Sequence, residues 1–420
     1  MRLWLSLLIT VFGFLQAEEY TLYVKTQSPI KPLKVSFKND VKLKASILNQ
    51  YEDLLLFNLK HCGYAEIVTE FTPAHTAVFA FGKDGILATI KKNHQDFVIQ
   101  SEPLDYELKL DARKLHEFSD RIVELLYGIK GVSSERILYA IQDENGFSSE
   151  IYVKYFDLLD ETKVTQNGSF NLTPVFLPNS THPSDAFMYV SYKNGLPKLY
   201  KQQFGSHTAE LLINLRGNHF LPAISSQGDF ISFISDASGK VDLFIQRLSK
   251  EHTPLGKPIQ VFSYPGSVQA TSSFHPLGET LAFVSDHEKK PMIYEINLMK
   301  TLRERKNNNI KSLVLIGQEC TCPSWSPDGT KLAYVAPIDG TRQIWIYDIE
   351  TSVHYPLTSG KFHKENPAWA SNNLHLTYNT TAGEYEIYVI NLNQKIPLKL
   401  SSKPGVKHYP CWERIKKRKI

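Results

Sequence analysis

A short motif that returns every 43 to 51 residues constrains this chain more than any other feature. A proline, a small residue and a large apolar residue stand together at Pro174-Val175-Phe176, Pro222-Ala223-Ile224, Pro323-Ser324-Trp325, Pro367-Ala368-Trp369 and Pro410-Cys411-Trp412, and Ser272-Ser273-Phe274 is a copy without the proline. The mean spacing of about 47 residues is that of a four-stranded propeller blade. After each copy comes a turn, as at Pro327-Asp328-Gly329, and then an alternating apolar strand such as KLAYV at 331–335, TLAFV at 280–284 or FISFI at 230–234. A second tight turn leads to a third strand, QIWIYDI at 343–349 or DLFIQRL at 242–248, and a fourth closes the unit. Turn residues supply the positive φ that hairpins need, and period-two alternation gives each strand a face for the neighbouring blade.

The two ends of the repeat array are incomplete in complementary ways. Residues 136–164 read as second and third strands with no first, whereas Pro410 to Trp412 is a first strand with nothing after it. Pairing the two makes a closed six-bladed propeller over 133–420 and leaves only short protected edges. The insertion TLRERKNNNIK at 301–311 lengthens one outer connection and reads as a mobile surface loop.

Residues 18–132 lack the repeat. Leu43, Ile47, Leu48, Tyr51, Leu54, Leu55 and Leu59 fall at helical spacing, and Leu115, Phe118, Ile122, Leu125 and Leu126 do so after a candidate N-cap at Asp111. Strand-like runs occupy 33–37, 76–82, 86–91 and 96–100. The expected fold class is therefore mainly β, a six-bladed propeller preceded by a small α/β domain. Residues 1–17 read as a signal peptide: Arg2, an apolar run from Leu3 to Leu15, and a small residue at Ala17. That run is short of the roughly 20 residues a membrane span needs.

Charge points to no nucleic-acid surface. The net formal charge is +4, yet Arg414, Lys416, Lys417, Arg418 and Lys419 at the C-terminus exceed it, and without them and Arg2 the body is about −2. Cys62, Cys320, Cys322 and Cys411 are too few and scattered for a disulfide framework. The chain has no G-x-S-x-G elbow, H-E-x-x-H, P-loop or G-x-G-x-x-G, and its histidines lack ligand spacing. No catalytic residue, cofactor site or metal site is expected.

The string PSWSPDGTKLAYV at 323–335, followed by IWIYD, resembles the propeller repeat of the bacterial TolB family. The segment ELLYGIKGVSSERILYA at 124–140 is similar to that family's junction between domain and propeller, with Gly128, Ile129, Lys130, Gly131, Arg136, Ile137 and Tyr139 in matching places. The resemblance covers the mature chain. It implies a periplasmic, non-enzymatic, monomeric scaffold of the Tol-Pal system, with a role in outer-membrane integrity and in invagination during cell division. It also implies two partner sites. Glu19, Tyr20, Thr21, Leu22, Tyr23, Val24 and Lys25 correspond to the segment that binds TolA, or another inner-membrane Tol component, and Lys25 stands where the family has an aspartate. Asn218, His219, Phe220, Leu221, Ala270, Thr271, Glu365, Asn366, His408 and Tyr409, with Leu172, Thr173 and Cys322 beside them, correspond to the propeller-mouth loops that bind the lipoprotein Pal. A secreted propeller enzyme or a carbohydrate-binding propeller is the alternative reading.

Overall fold

The computed structural model describes residues 30–413 apart from 70–72, 74, 158, 179–183, 305–309 and 315–317. The expected signal at 1–17, the segment Glu19 to Lys25 and the basic tail from Arg414 to Lys419 lie outside the described residues.

The first unit is one mixed sheet with two helices on one face. Strands β1 (Lys31–Asn39), β2 (Ala65–Ile67), β3 (His75–Gly82), β4 (Gly85–Lys92) and β5 (Gln95–Gln100) lie in the order β2-β1-β3-β4-β5. β1 runs parallel to both of its neighbours, and the last two pairs are antiparallel hairpins. Helices α1 (Ala45–Lys60) and α2 (Leu108–Tyr127) bury Tyr51, Leu55, Leu59, Leu115, Phe118 and Ile122 against Leu33, Phe79, Phe81, Ile86 and Ile90. Asp111 is not the N-cap expected of it: α2 begins three residues earlier, with Glu107 at the cap position. The Asp111 carboxylate is instead buried inside the first turn, where it accepts hydrogen bonds from the Tyr51 hydroxyl (2.6 Å) and from the amides of Asp105 and Tyr106 (3.0 and 2.8 Å). It thus orders the loop entering the helix from within. α2 stops at Gly128, whose left-handed φ of 70° lets its N–H reach the Glu124 carbonyl at 2.8 Å.

Six four-stranded antiparallel sheets follow. In blade 1 the innermost strand is the last of the chain: Val406–Trp412 pairs with Arg136–Gln142, which continues to Ser149–Tyr155 and Thr162–Lys163. Blades 2 to 6 are built in chain order from innermost strands Asn171–Phe176, His219–Ile224, Gln269–Phe274, Thr321–Trp325 and His363–Trp369. Closure is locked by a side-chain pair across 277 residues. Arg136 Nε and one terminal nitrogen each donate to Glu413 at 2.8 Å, and Glu413 is almost fully buried. The second strands alternate into both neighbouring blades, so Phe187, Phe233, Phe283, Tyr334 and Tyr378 are all buried.

The insertion after blade 4's third strand departs from expectation. Its first part is helix α3 (Leu298–Glu304), with Leu298 and Thr301 buried and Leu302 packed on the core between blades 3 and 4. These apolar contacts at helical spacing hold the start of the insertion on the propeller flank.

The α/β unit sits on the face formed by the turns between first and second strands. His375 Nε2 meets the His61 carbonyl at 2.9 Å, Asn393 Nδ2 donates to the Gly63 carbonyl at 2.9 Å, and His116 Nε2 lies 3.0 Å from Asp157. Gly63 has a φ of +84°, and a Cβ there would lie 2.6 Å from Leu374, so glycine is required on both counts.

Candidate functional site

The six innermost strands surround the propeller axis, and each breaks its pairing at the same place. The register slips between the partners of Leu172 and Val175, Phe220 and Ala223, Gln269 and Ser272, Thr321 and Ser324, Glu365 and Ala368, and His408 and Cys411. At five of these bulges the residue before the proline is left-handed: Thr173 (φ 49°), Leu221 (48°), Cys322 (50°), Asn366 (53°) and Tyr409 (55°). The sixth, Thr271, is followed by Ser272 rather than proline and is not left-handed. A non-glycine residue in this region costs about 1 kcal/mol or more, and strain of this kind persists only where surrounding structure enforces it. A proline donates no N–H, so it is tolerated at a bulge where the ladder is already interrupted.

The bulged residues form the rim of an axial cavity of about 370 Å³. Below Thr173, Leu221, Thr271, Cys322, Asn366 and Tyr409 the wall consists of the motif prolines and the small residues after them, and the far end is lined by Pro178, Ser226, Pro276, Pro327 and Ser371. The small middle residue of the sequence motif thus borders the channel while Val175, Ala223, Ala368 and Cys411 also pack on the cores between blades. Among the described residues no lysine, arginine, histidine, aspartate or glutamate lines the cavity. Its polar character comes from hydroxyls, one amide and backbone.

Of the residues expected in the mouth loops, Asn218 precedes its innermost strand, whereas the other nine lie within innermost strands, with Leu221, Thr271, Asn366 and Tyr409 at the bulges. They divide into two groups. Leu221, Thr271, Asn366 and Tyr409 line the channel, as do Thr173 and Cys322. The others support the rim. Asn218 is clamped to Asp236 by its backbone N–H and its side-chain amide, both at 2.6 Å. His219 is fully buried, with Nε2 3.1 Å from the Leu215 carbonyl, and burial together with Lys198 pushes its pKa down to about 4, so it presents nothing to a partner. Phe220 packs into the core between blades 3 and 4, and Ala270 into that between blades 4 and 5. Glu365 pairs with Arg342 at 2.6 Å, and Asn366 Nδ2 donates to Asn379 at 2.8 Å. Burial lowers the His408 pKa, leaving a neutral ring beside Tyr409 at neutral pH. Leu172 is half-buried against the core shared by blades 1 and 2. All four described cysteines are free thiols.

Sequence reasoning missed the floor of the channel. Ser371, on the turn after blade 6's innermost strand, accepts from Lys130 Nζ at 2.7 Å and hydrogen-bonds Glu135 through both its hydroxyl and its amide. Glu135 is fully buried; burial pushes its pKa up to about 7, against the opposing pull of Lys130 and Ser371. Behind this contact the backbone of Gly131 crosses Asp120, which accepts from the amides of Ser133 (2.8 Å) and Ser134 (2.9 Å). The junction segment 128–136 therefore connects α2 to the channel floor. Its crowding of glycine, lysine and glutamate was the available signal.

The channel mouth opens on the face opposite the α/β unit, because the innermost strands run from the rim toward the turns on which that unit rests. With its described residues such a site can hold a protruding segment of another molecule by shape and hydrogen bonding.

Comparison with known proteins gives a consistent picture. The TolB beta propeller domain, as a family profile, matches residues 123–416. The Protein TolB homolog of Protochlamydia amoebophila is 35% identical over 378 residues, covering 82% of this chain and 80% of the relative. The homolog from Chlamydia trachomatis serovar L2 is 29% identical over 371 residues, covering 87% and 84%. The crystal structure of TolB from Acinetobacter baumannii superposes with a TM-score of 0.73 at 19% identity, covering 93% of this chain and 98% of that one, which shows the shared fold.

Proposed function

Because the chain belongs to the TolB family, we propose that it is a periplasmic interaction scaffold of the Tol-Pal system, that its channel mouth binds the lipoprotein Pal, and that it has no enzymatic activity. In this reading residues 1–17 direct export, 18–132 form the α/β unit and 133–420 the propeller. Its physiological role is the support of outer-membrane integrity and of invagination at division. The segment Glu19 to Lys25, with Tyr20, Leu22 and Val24 alternating, contacts TolA or another inner-membrane component as an added strand.

One observation carries the assignment of Pal to the mouth: six bulged strands place an uncharged, hydrogen-bonding rim around an open cavity on the face the α/β unit leaves free. Binding sites are commonly irregular segments held by a rigid scaffold, and here the scaffold is the closed ring. No described helix is long and apolar enough to cross a membrane. The test is affinity capture with the full-length exported chain from its native envelope. Recovery of a lipoprotein with a peptidoglycan-binding domain supports the reading, and deletion of Glu19 to Lys25 should leave that recovery intact while abolishing inner-membrane contact. Capture of no such lipoprotein by folded bait, or turnover of a small substrate, would overturn it.

A further inference from the structure

The sheet of the α/β unit ends in a bare edge at β5. The preceding hairpin turns on Asn93 and His94, both left-handed (φ 49° and 68°), the two-residue geometry in which the flanking Lys92 and Gln95 form a hydrogen-bonded pair. Alternation from that pair aims the N–H and C=O groups of Phe97 and Ile99 at β4 and those of Asp96, Val98 and Gln100 away from the sheet. Among the described residues no strand lies beyond β5, and the side chain that reaches this edge is Arg121, which donates to the Gln100 carbonyl at 3.1 Å.

Protein edges of this kind usually carry a proline, a lysine or a bulge that blocks further pairing. β5 reads Gln-Asp-Phe-Val-Ile-Gln and stays in unbroken register with β4 through all six residues. Val98 is 65% exposed on the face away from the helices, while Phe97 and Ile99 are half-buried at the margin of the helix-covered core. Apolar side chains thus stand exposed on one face and incompletely covered on the other, along a line of backbone that has, among the described residues, no strand partner and at its end the Arg121 bond to the Gln100 carbonyl.

We propose that β5 pairs antiparallel with β5 of a second copy of this chain, about a two-fold axis at Val98, joining the two five-stranded sheets into one. The edge is self-complementary in that register. Val98 faces the partner's Val98, and Asp96 faces the partner's Gln100, so a carboxylate meets an amide and no like charges oppose each other. Moving the axis to Asp96 would set two carboxylates opposite each other, and moving it to Gln100, the last residue of β5, would pair less of the strand, so the first register is favoured. Asp96, Val98 and Gln100 of each copy exchange N–H and C=O bonds, the Gln100 carbonyl using its second lone pair beside the Arg121 bond, and Phe97 and Ile99 continue the apolar margin across the seam. The interface is small, so the dimer exchanges with the monomer expected from the sequence, and it uses no residue of the channel.

Sedimentation velocity of the full exported chain over a range of concentrations tests this, with Val98→Pro and Val98→Lys as variants. Proline at 98 removes an outward N–H and no bond to β4, and lysine adds a charge at an exposed position. The wild type should self-associate, and each variant should weaken association at least about tenfold with an unchanged melting temperature. Wild-type protein that stays monomeric at its highest soluble concentration overturns the proposal, as does a dimer that persists in both variants. A monomer whose Asp96 and Val98 amides resist hydrogen exchange also overturns it, since another part of the same chain would then cover the edge.

Discussion

Replacing Glu413 by glutamine should unlatch the ring while leaving every apolar contact in place. The carboxylate is 1% exposed and receives two bonds from Arg136 at 2.8 Å and one from the Ser184 amide at 2.5 Å. The guanidinium also donates to the Ser184 carbonyl and lies 4.3 Å from the centroid of Phe204. Glu413→Gln leaves a nearly buried cation without its counter-charge, at a cost of about 3–5 kcal/mol. For a propeller of roughly 290 residues the unfolding entropy is about 0.6 kcal/mol per degree, so the melting temperature should fall by about 5–8 °C. Arg136→Met in the same chain removes the orphaned cation, and the double variant should melt closer to wild type than Glu413→Gln alone. Differential scanning calorimetry of the three proteins reads this directly. A Glu413→Gln transition within about 1 °C of wild type would refute the idea that this pair secures closure.

Acidification should loosen the contact between the two units through His375, which burial holds at a pKa of about 4. An unfolded imidazole takes up its proton near pH 6.5 while the folded one refuses it, so stability is lost as pH falls from about 6.5 toward 4. Between pH 7 and 5 His375 alone contributes a loss of about 2 kcal/mol, and His375→Gln should flatten the acid limb of a melting-temperature profile by that amount. Glu135 works in the opposite sense: its raised pKa favours the folded form at low pH, and that contribution disappears as pH rises from about 4.5 to 7, so Glu135→Gln should steepen the acid limb. An acid limb unchanged by both substitutions would contradict the assignment. Gly131→Ala should destabilise by about 1–3 kcal/mol, because the new Cβ would stand 2.6 Å from the Asp120 Cα, and an unaltered thermal melt would mean the junction yields easily.

Much of the fold was legible because each blade repeats a local pattern that a closed ring must satisfy. The split blade, the four-strand unit and the two helices of the first unit all follow from periodicity, and the structure agrees with them. Long-range contacts were not legible. Nothing local marks Glu413 as the partner of Arg136, or Ser371 as the partner of Lys130 and Glu135, since those pairs are made by ring geometry. Asp111 looked like a cap because aspartates before apolar runs usually are, but Tyr51 from the other helix captured its carboxylate. The sequence alone puts the mouth residues in loops because a proline such as Pro222, Pro367 or Pro410 commonly begins a strand. In fact each strand starts earlier and is only interrupted there, and the interruption turns Leu221, Asn366 and Tyr409 into the channel while His219 beside them is buried.

Calorimetric titration of residues 18–420 with the soluble domain of a Pal-type lipoprotein from the same cells, comparing wild type with Thr271→Arg, tests the central claim most directly. Thr271 lines the rim, is half-buried, and is the rim position free of left-handed backbone strain, so arginine there obstructs the mouth with little change to the ring. The account predicts binding at least tenfold weaker, a loss of about 1.4 kcal/mol, with the melting temperature unchanged. A control carrying glutamine in place of Arg414, Lys416, Lys417, Arg418 and Lys419 should bind as wild type at physiological salt. Full affinity in Thr271→Arg together with lost affinity in the control would contradict the account and move the partner from the channel mouth to the basic C-terminus.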